Sequence, residues 1–156
     1  MDKNKKAKLF IFDSYLSAIK NSVGTKMFRN LFVKINGKKT DVLKNGELSC
    51  AYFVSSVLYL FGLIKGKHAT VDGTLKDMEK SGWRKINKPK IGCIILWDYS
   101  EQYVQYVGHK ARHQKGHRHL GFYLGGKSAI SNDSKRGIIT KHHWTHGVDK
   151  NGNPKR

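Results

Sequence analysis

The chain has 156 residues, an ordinary hydrophobic content of 38% and a formal net charge of +19. That length suits one domain with a real core, and the apolar content excludes wholesale disorder. Thirty Lys and Arg against 11 Asp and Glu create a field that draws polyanions (nucleic acid, anionic wall polymers, acidic membrane surfaces) without choosing among them.

Residues 1–8 read as a solvated basic tail, the folded domain is expected over 9–146, and 147–156 read as a second tail. The apolar patch behind the first tail, Leu9 to Phe12, is interrupted by Asp13. It supplies neither a signal-peptide core nor a membrane span. The chain is therefore expected to be cytoplasmic, or exported by a route the sequence does not show. Leu9, Phe10, Phe12, Leu16 and Ile19 fit helical spacing and predict a helix over about 9–21. Phe28 to Ile35 is aromatic and β-branched, and Asn36-Gly37 marks a hairpin turn before Thr40, Val42 and Leu43.

Asn45-Gly46 then delivers the chain to Ser49-Cys50 and a run that is apolar nearly all round, from Ala51 to Ile64. The pattern predicts a central helix covered by other elements, capped by Ser49 and ended by Gly62 and Gly66. A thiol in the first turn of such a helix sits near unpaired backbone N–H groups and the positive dipole end, which favour the thiolate. The same position also suits a cysteine packed as a small hydrophobe. A second helix is expected from about Val71 to Ser81. Beyond Pro89 and Gly92 the period becomes that of strands: Cys93 to Asp98, a short piece at Tyr103–Val107, a hairpin of His119–Leu124 and Lys127–Ser131, and Ile138 to Trp144. Helices first and a mostly antiparallel sheet later make an α+β domain.

Cysteine catalysis needs a thiol, a base beside it and a polar group that fixes the imidazole. Of eight histidines, His119 opens a strand and is followed by Gly121, which leaves the backbone near it unobstructed. Ser131, Asn132 and Asp133 lie across the Gly125-Gly126 turn, and hairpin geometry can bring one of them beside His119.

Three motifs, Ser49-Cys50-Ala51-Tyr52-Phe53-Val54, Pro89-x-x-Gly92-x-Ile-Ile-Leu-Trp97 and His119-x-Gly121-Phe-Tyr-x-Gly125 with Ala129-Ile130, resemble the NlpC-type papain-like cysteine peptidases in order and spacing. These are cell-wall endopeptidases and amidases related to the CHAP amidases. The resemblance covers roughly residues 46–132. It implies a papain-like single domain, with N-terminal helices and a central Cys-bearing helix packed on a mostly antiparallel sheet. It also implies amide hydrolysis through a thioester, with peptidoglycan stem peptides or another amide as substrate and no cofactor or metal. Cys50 corresponds to the nucleophile and His119 to the base. The family register sets Ser131 opposite His119, while Asn132 is the better orienter chemically and is preferred, through a one-residue bulge; His142 and His143 fall outside this set. The family's aspartates are replaced by Ser49 and Cys93, and its upstream tyrosine has Tyr15 as the candidate match.

Competing readings come from the basic region. In the run His109, His113, His117 and His119 the first three would share one helix face, but Gly108 and Gly116 bracket the run and no carboxylate or cysteine lies in it. A basic, anion-contacting flap is expected there rather than a metal site. Tyr99, Tyr103 and Tyr106 among Lys110, Arg112, Lys115 and Arg118 suit non-specific nucleic-acid binding. A non-catalytic basic binding module is thus the rival to the enzyme, and a papain-like hydrolase of a non-wall amide or thioester is a third reading.

Overall fold

In the computed structural model, which describes residues 7–98, 104–107, 110–113, 118–146 and 151, helices come first and antiparallel sheets follow. The first helix, α1 (Ile11–Asn21), turns Tyr15 and Ile19 inward, one turn apart on one face. A hairpin follows, β1 (Phe32–Ile35) with β2 (Lys38–Asp41), joined through Asn36-Gly37. Both turn residues have positive φ, 48° and 79°, as a two-residue type I′ turn requires. At the end of β2, the Asp41 carboxylate accepts from the N–H groups of Leu31, Leu43 and Asn45 and from the Asn30 amide. Burial alone would raise that carboxyl, but the donors outweigh it and hold it at about 2. The loop so anchored makes one 3-10 turn (Lys44–Gly46) and enters α2 (Cys50–Leu60).

α2 buries Ala51, Phe53, Val54, Ser55, Val57 and Leu58. Its last turn is different: Tyr59 and Leu60 are exposed, Leu60 by 70%. The expectation of a helix covered on every side therefore holds for its first part and fails at its C-terminal end, where these two side chains stay exposed among the described residues. Gly62 (φ 67°) closes the helix, with bonds from its own N–H to Tyr59 O and from Leu63 N–H to Leu58 O. α3 (Val71–Lys80) starts at Thr70, whose side chain accepts from the Gly73 N–H. The link between α2 and α3 is held by Asp77. Its carboxylate accepts from His68 Nε2 at 2.7 Å, from the N–H groups of Lys65 and Gly66, and from the Ser81 hydroxyl.

The strand after Gly92 is β3 (Ile94–Trp97). The expected short strand at Tyr103–Val107 corresponds to β4 (Val104–Val107), which pairs with β5 (Lys110–His113) as a separate two-stranded sheet. Extended backbone over 110–113 removes the single-helix geometry that a His109-His113-His117 metal site would use. Tyr99, Tyr103, His109, His117 and most of both tails lie outside the described residues. The main sheet is completed by β6 (His119–Gly125), β7 (Ser128–Asp133) and β8 (Ile138–His143), in the order β3-β6-β7-β8 with every neighbour antiparallel.

One face of this sheet, formed by Leu120, Phe122, Ile130 and Ile139, packs on Phe53, Val54, Val57 and Leu58 of α2. Phe122 is central: Phe53 meets it edge-on at 5.3 Å and Tyr15 does so at 5.9 Å. The result is a small α+β domain. No helix among the described residues is long and apolar enough to cross a membrane.

Candidate functional site

Successive residues of a strand face opposite sides of the sheet, so the burial of Leu120 and Phe122 against α2 turns His119 and Gly121 to the other side. Trp97 stands opposite His119, Gly121 opposite Ser131 and Ala129 opposite His142. On this face His119 Nε2 lies 2.9 Å from Ser131 Oγ, and Ser131 Oγ lies 2.7 Å from His142 Nε2. His142 Nδ1 in turn donates to the His143 carbonyl at 2.8 Å. His119 reaches Ser131 diagonally, across the space that Gly121 leaves. A Cβ on Gly121 would come within 2.7 Å of Ile130 O, 2.8 Å of Ser131 Cβ and 2.9 Å of Trp97 Cη2. The unobstructed backbone expected at Gly121 is what allows the contact.

Trp97 forms the floor. It is 4% exposed, and its indole N–H donates to Trp144 O at 2.7 Å. Its ring centroid lies 5.4 Å from that of His119, 5.6 Å from His142 and 4.7 Å from His146. His142 and His146 stack with centroids 4.2 Å apart and planes 20° apart. The His142 ring is thus fixed by contacts with two neighbouring rings as well as by its hydrogen bonds. Burial pushes its imidazolium below the ordinary histidine range, so the ring is neutral at pH 7.

The α2 terminus is brought to the same end of the sheet from the opposite face. Asn132 Nδ2 donates to Gly46 O at 2.7 Å, a buried bond that ties β7 to the loop just ahead of α2. Gly46 also packs on the turn between β7 and β8, where a Cβ on it would lie 2.5 Å from Gly137 Cα. Cys50 follows four residues later as the first residue of α2. Phe53, one turn further, meets Phe122, three residues beyond His119. The N-terminus of α2 therefore lies at the His119 end of β6.

Two expectations about this region are corrected. Ser49 does not cap α2. Its backbone is already helical (φ −86°, ψ −5°) rather than extended, its side chain makes no cap bond, and its hydroxyl is buried without a hydrogen-bond partner among the described residues. Asn132 does not orient His119. The only shift of register between β6 and β7 falls at Tyr123/Gly125, so no bulge brings Asn132 round and its amide stays on the α2 side. Ser131 is the residue that bonds the imidazole. His142, set aside on sequence grounds, joins the same network. Period-2 alternation along β8 was the available signal for it. The β7–β8 register that aligns it with Ala129 depends on the tertiary turn between the strands.

Tyr15 is a core residue here. Its hydroxyl donates to Gly92 O at 2.7 Å, and burial pushes its pKa up. Gly92 N–H in turn bonds Tyr123 O, four residues along β6 from His119, or roughly 13 Å at the usual strand rise. Neither cysteine is in a disulfide, and burial pushes the Cys93 thiol up, away from the thiolate. Among the described residues no group of three or more His, Cys, Asp or Glu is arranged to hold a metal ion. A groove of about 1410 Å³ runs between α1, α3 and β3, lined by residues that include Tyr15, Trp83, Ile91, Cys93 and Leu96. Arg118, the residue before His119, lines it too and pairs with Asp72 at 2.5 Å.

No protein-family model, curated protein or solved structure matches this chain. Its functional reading rests on its own residues.

Proposed function

We propose that the chain is a cysteine-dependent amide hydrolase of papain-like design, with Cys50 as nucleophile, His119 as base and Ser131 as the group that orients the imidazole. The observation that carries this reading is the 2.9 Å contact between His119 Nε2 and Ser131 Oγ, made at the end of the sheet where α2 begins with Cys50. A nucleophile at a helix start, a histidine and a third polar group that fixes the ring are the parts such chemistry requires.

With Nε2 facing Ser131, Nδ1 is the ring nitrogen that exchanges protons. It takes the thiol proton, and the Cys50 thiolate, favoured by the helix terminus, attacks the amide carbon. The tetrahedral intermediate's oxyanion is held by the Cys50 backbone N–H, a kind of donor worth about 3 kcal/mol. The C–N bond breaks as Nδ1–H protonates the amine, leaving a thioester. Water then adds to the thioester as Nδ1 accepts its proton, and the thiolate departs. Peptidoglycan stem peptides are the substrate class suggested by the family resemblance, and the +19 charge suits an anionic wall polymer.

The test uses the full chain, a thiol-directed electrophile and purified peptidoglycan. Cys50 should label well ahead of Cys93 at neutral pH, and Cys50→Ala should abolish release of wall fragments read by mass spectrometry. Equal labelling of the two cysteines, together with digestion unaffected by Cys50→Ala, overturns the reading. Binding of DNA or RNA that falls steeply with salt and ignores the substitution would then favour a basic binding module. Selective labelling with an untouched wall would move the substrate to another amide or thioester and leave the chemistry standing.

A further inference from the structure

We propose that His142 is a positioning residue, which acts through Ser131 to lock His119 in the tautomer that carries its proton on Nε2 and its lone pair on Nδ1. As a statement about proton positions the inference stands on geometry alone. Its catalytic consequence rests on the hydrolase reading above.

The direction of every bond in the chain follows from its far end. The His143 carbonyl can only accept, so His142 Nδ1, 2.8 Å away, must carry a hydrogen. A neutral ring with a proton on Nδ1 has a bare lone pair on Nε2. That nitrogen lies 2.7 Å from Ser131 Oγ and accepts the hydroxyl proton. Ser131 has one proton to give, so the 2.9 Å contact to His119 must run the other way, with His119 Nε2–H donating to Oγ. A neutral His119 then has its lone pair on Nδ1.

The surroundings make this arrangement stiff. Ser131 is 1% exposed, so water does not compete for its hydroxyl. His142 stacks on the His146 ring and also touches the Trp97 ring, and burial disfavours its doubly protonated form, the one state that would let Nε2 donate to Ser131 instead.

Ser131 by itself could not choose. A hydroxyl donates to an imidazole nitrogen as readily as it accepts from one, and a serine alone would leave His119 to distribute between two tautomers. The carbonyl and His142 convert an indifferent hydroxyl into an obligate acceptor. That explains how serine can stand where a side-chain amide or carboxylate oxygen would otherwise be the natural choice.

The experiment is long-range 1H–15N spectroscopy of the histidine-labelled full chain, at a pH where its imidazoles are neutral, which reads the tautomer of each ring directly. Native His119 should show the Nε2–H pattern. In His142→Phe, which keeps an aromatic ring in the stack, the Ser131 hydroxyl can donate to His119 Nε2, and the pattern should move toward Nδ1–H. His142→Gln restores an acceptor facing Ser131 and should return it toward Nε2–H. If amide hydrolysis is present, kcat should fall about 10²-fold or more in His142→Phe with KM little changed, since a catalytic histidine in the wrong tautomer can cost about 10⁴. An Nδ1–H pattern in the native protein, or one unmoved Nε2–H pattern in all three proteins, overturns the proposal. The native spectrum decides the first of these even if the Phe variant does not fold. The expected tautomers in a protein with an unreactive Cys50 would retain the relay and dismiss the hydrolase. A reactive Cys50 with an unmoved tautomer would do the reverse.

Discussion

Adding one methyl group at Gly121 tests the assembly of the site while removing none of its polar atoms. In Gly121→Ala the new Cβ would meet Ile130 O at 2.7 Å, Ser131 Cβ at 2.8 Å and Trp97 Cη2 at 2.9 Å. Carbon atoms settle at about 3.5–4.0 Å, so all three contacts are too short together. The first is to backbone and the second to a Cβ, and neither can rotate aside. Relief must come from separating β6 and β7 or from tilting the Trp97 ring. The second route breaks the indole bond to Trp144 O and disturbs the tilted ring contact with His142. Overpacking of this kind costs about 1–3 kcal/mol, and the rigid neighbours put it toward the upper end. For a chain of this size that lowers the melting temperature by about 4–10 °C. Circular dichroism melts read the loss, and the His119 nitrogen shifts should move in the same variant. A melting temperature within about 1 °C of native, where overpacking predicts several, together with unchanged His119 shifts, would refute the claim that Gly121 provides the clearance.

Two further outcomes follow from other parts of the same scaffold. Hydrogen bonding from His68, helped by the Ser81 hydroxyl and the Lys65 and Gly66 N–H groups, holds Asp77 at about 2 against an ordinary 3.8. A depressed carboxyl contributes stability above its unfolded pKa and loses it as pH falls through the folded value. The difference in melting temperature between native protein and Asp77→Asn should therefore be full at pH 5–7 and shrink between about pH 4 and pH 2; a difference that grows on acidification contradicts it. Asn132→Ala removes a buried partner of Gly46 O and should cost about 1–3 kcal/mol in chemical denaturation. It should leave the Nε2–H pattern of His119 in place, because Asn132 lies on the opposite face of the sheet. Loss of that pattern without loss of stability would return Asn132 to the orienting role.

Local chemistry made much of this molecule legible in its sequence. Asn36-Gly37 needed only its own tolerance of positive φ to announce a hairpin. The alternation along His119–Gly125 identified a strand with one buried face, and Ser49-Cys50 followed by an apolar run identified the helix that would bear the thiol. Each depends on residues close in sequence, where spacing converts directly into facing. Exposure of Tyr59 and Leu60 was not legible, because it depends on what happens to lie over the helix end.

Which side chain of β7 meets His119 was decided only by tertiary structure. Ser131 and Asn132 are neighbours in the chain, and a single bulge would have exchanged their faces. The sheet places its irregularity at Tyr123/Gly125 instead, which commits Ser131 to His119 and Asn132 to the loop before α2. His142 enters the network for the same kind of reason: its alignment with Ala129 is a matter of β7–β8 register, which the turn between the strands allows and the burial of Ile139 in the core holds. The sequence by itself therefore determined which side chains were available for chemistry and on what kind of element each would ride. The fold decided which of them meet, because strand register and sheet face are properties of the packed core and not of any short stretch of chain.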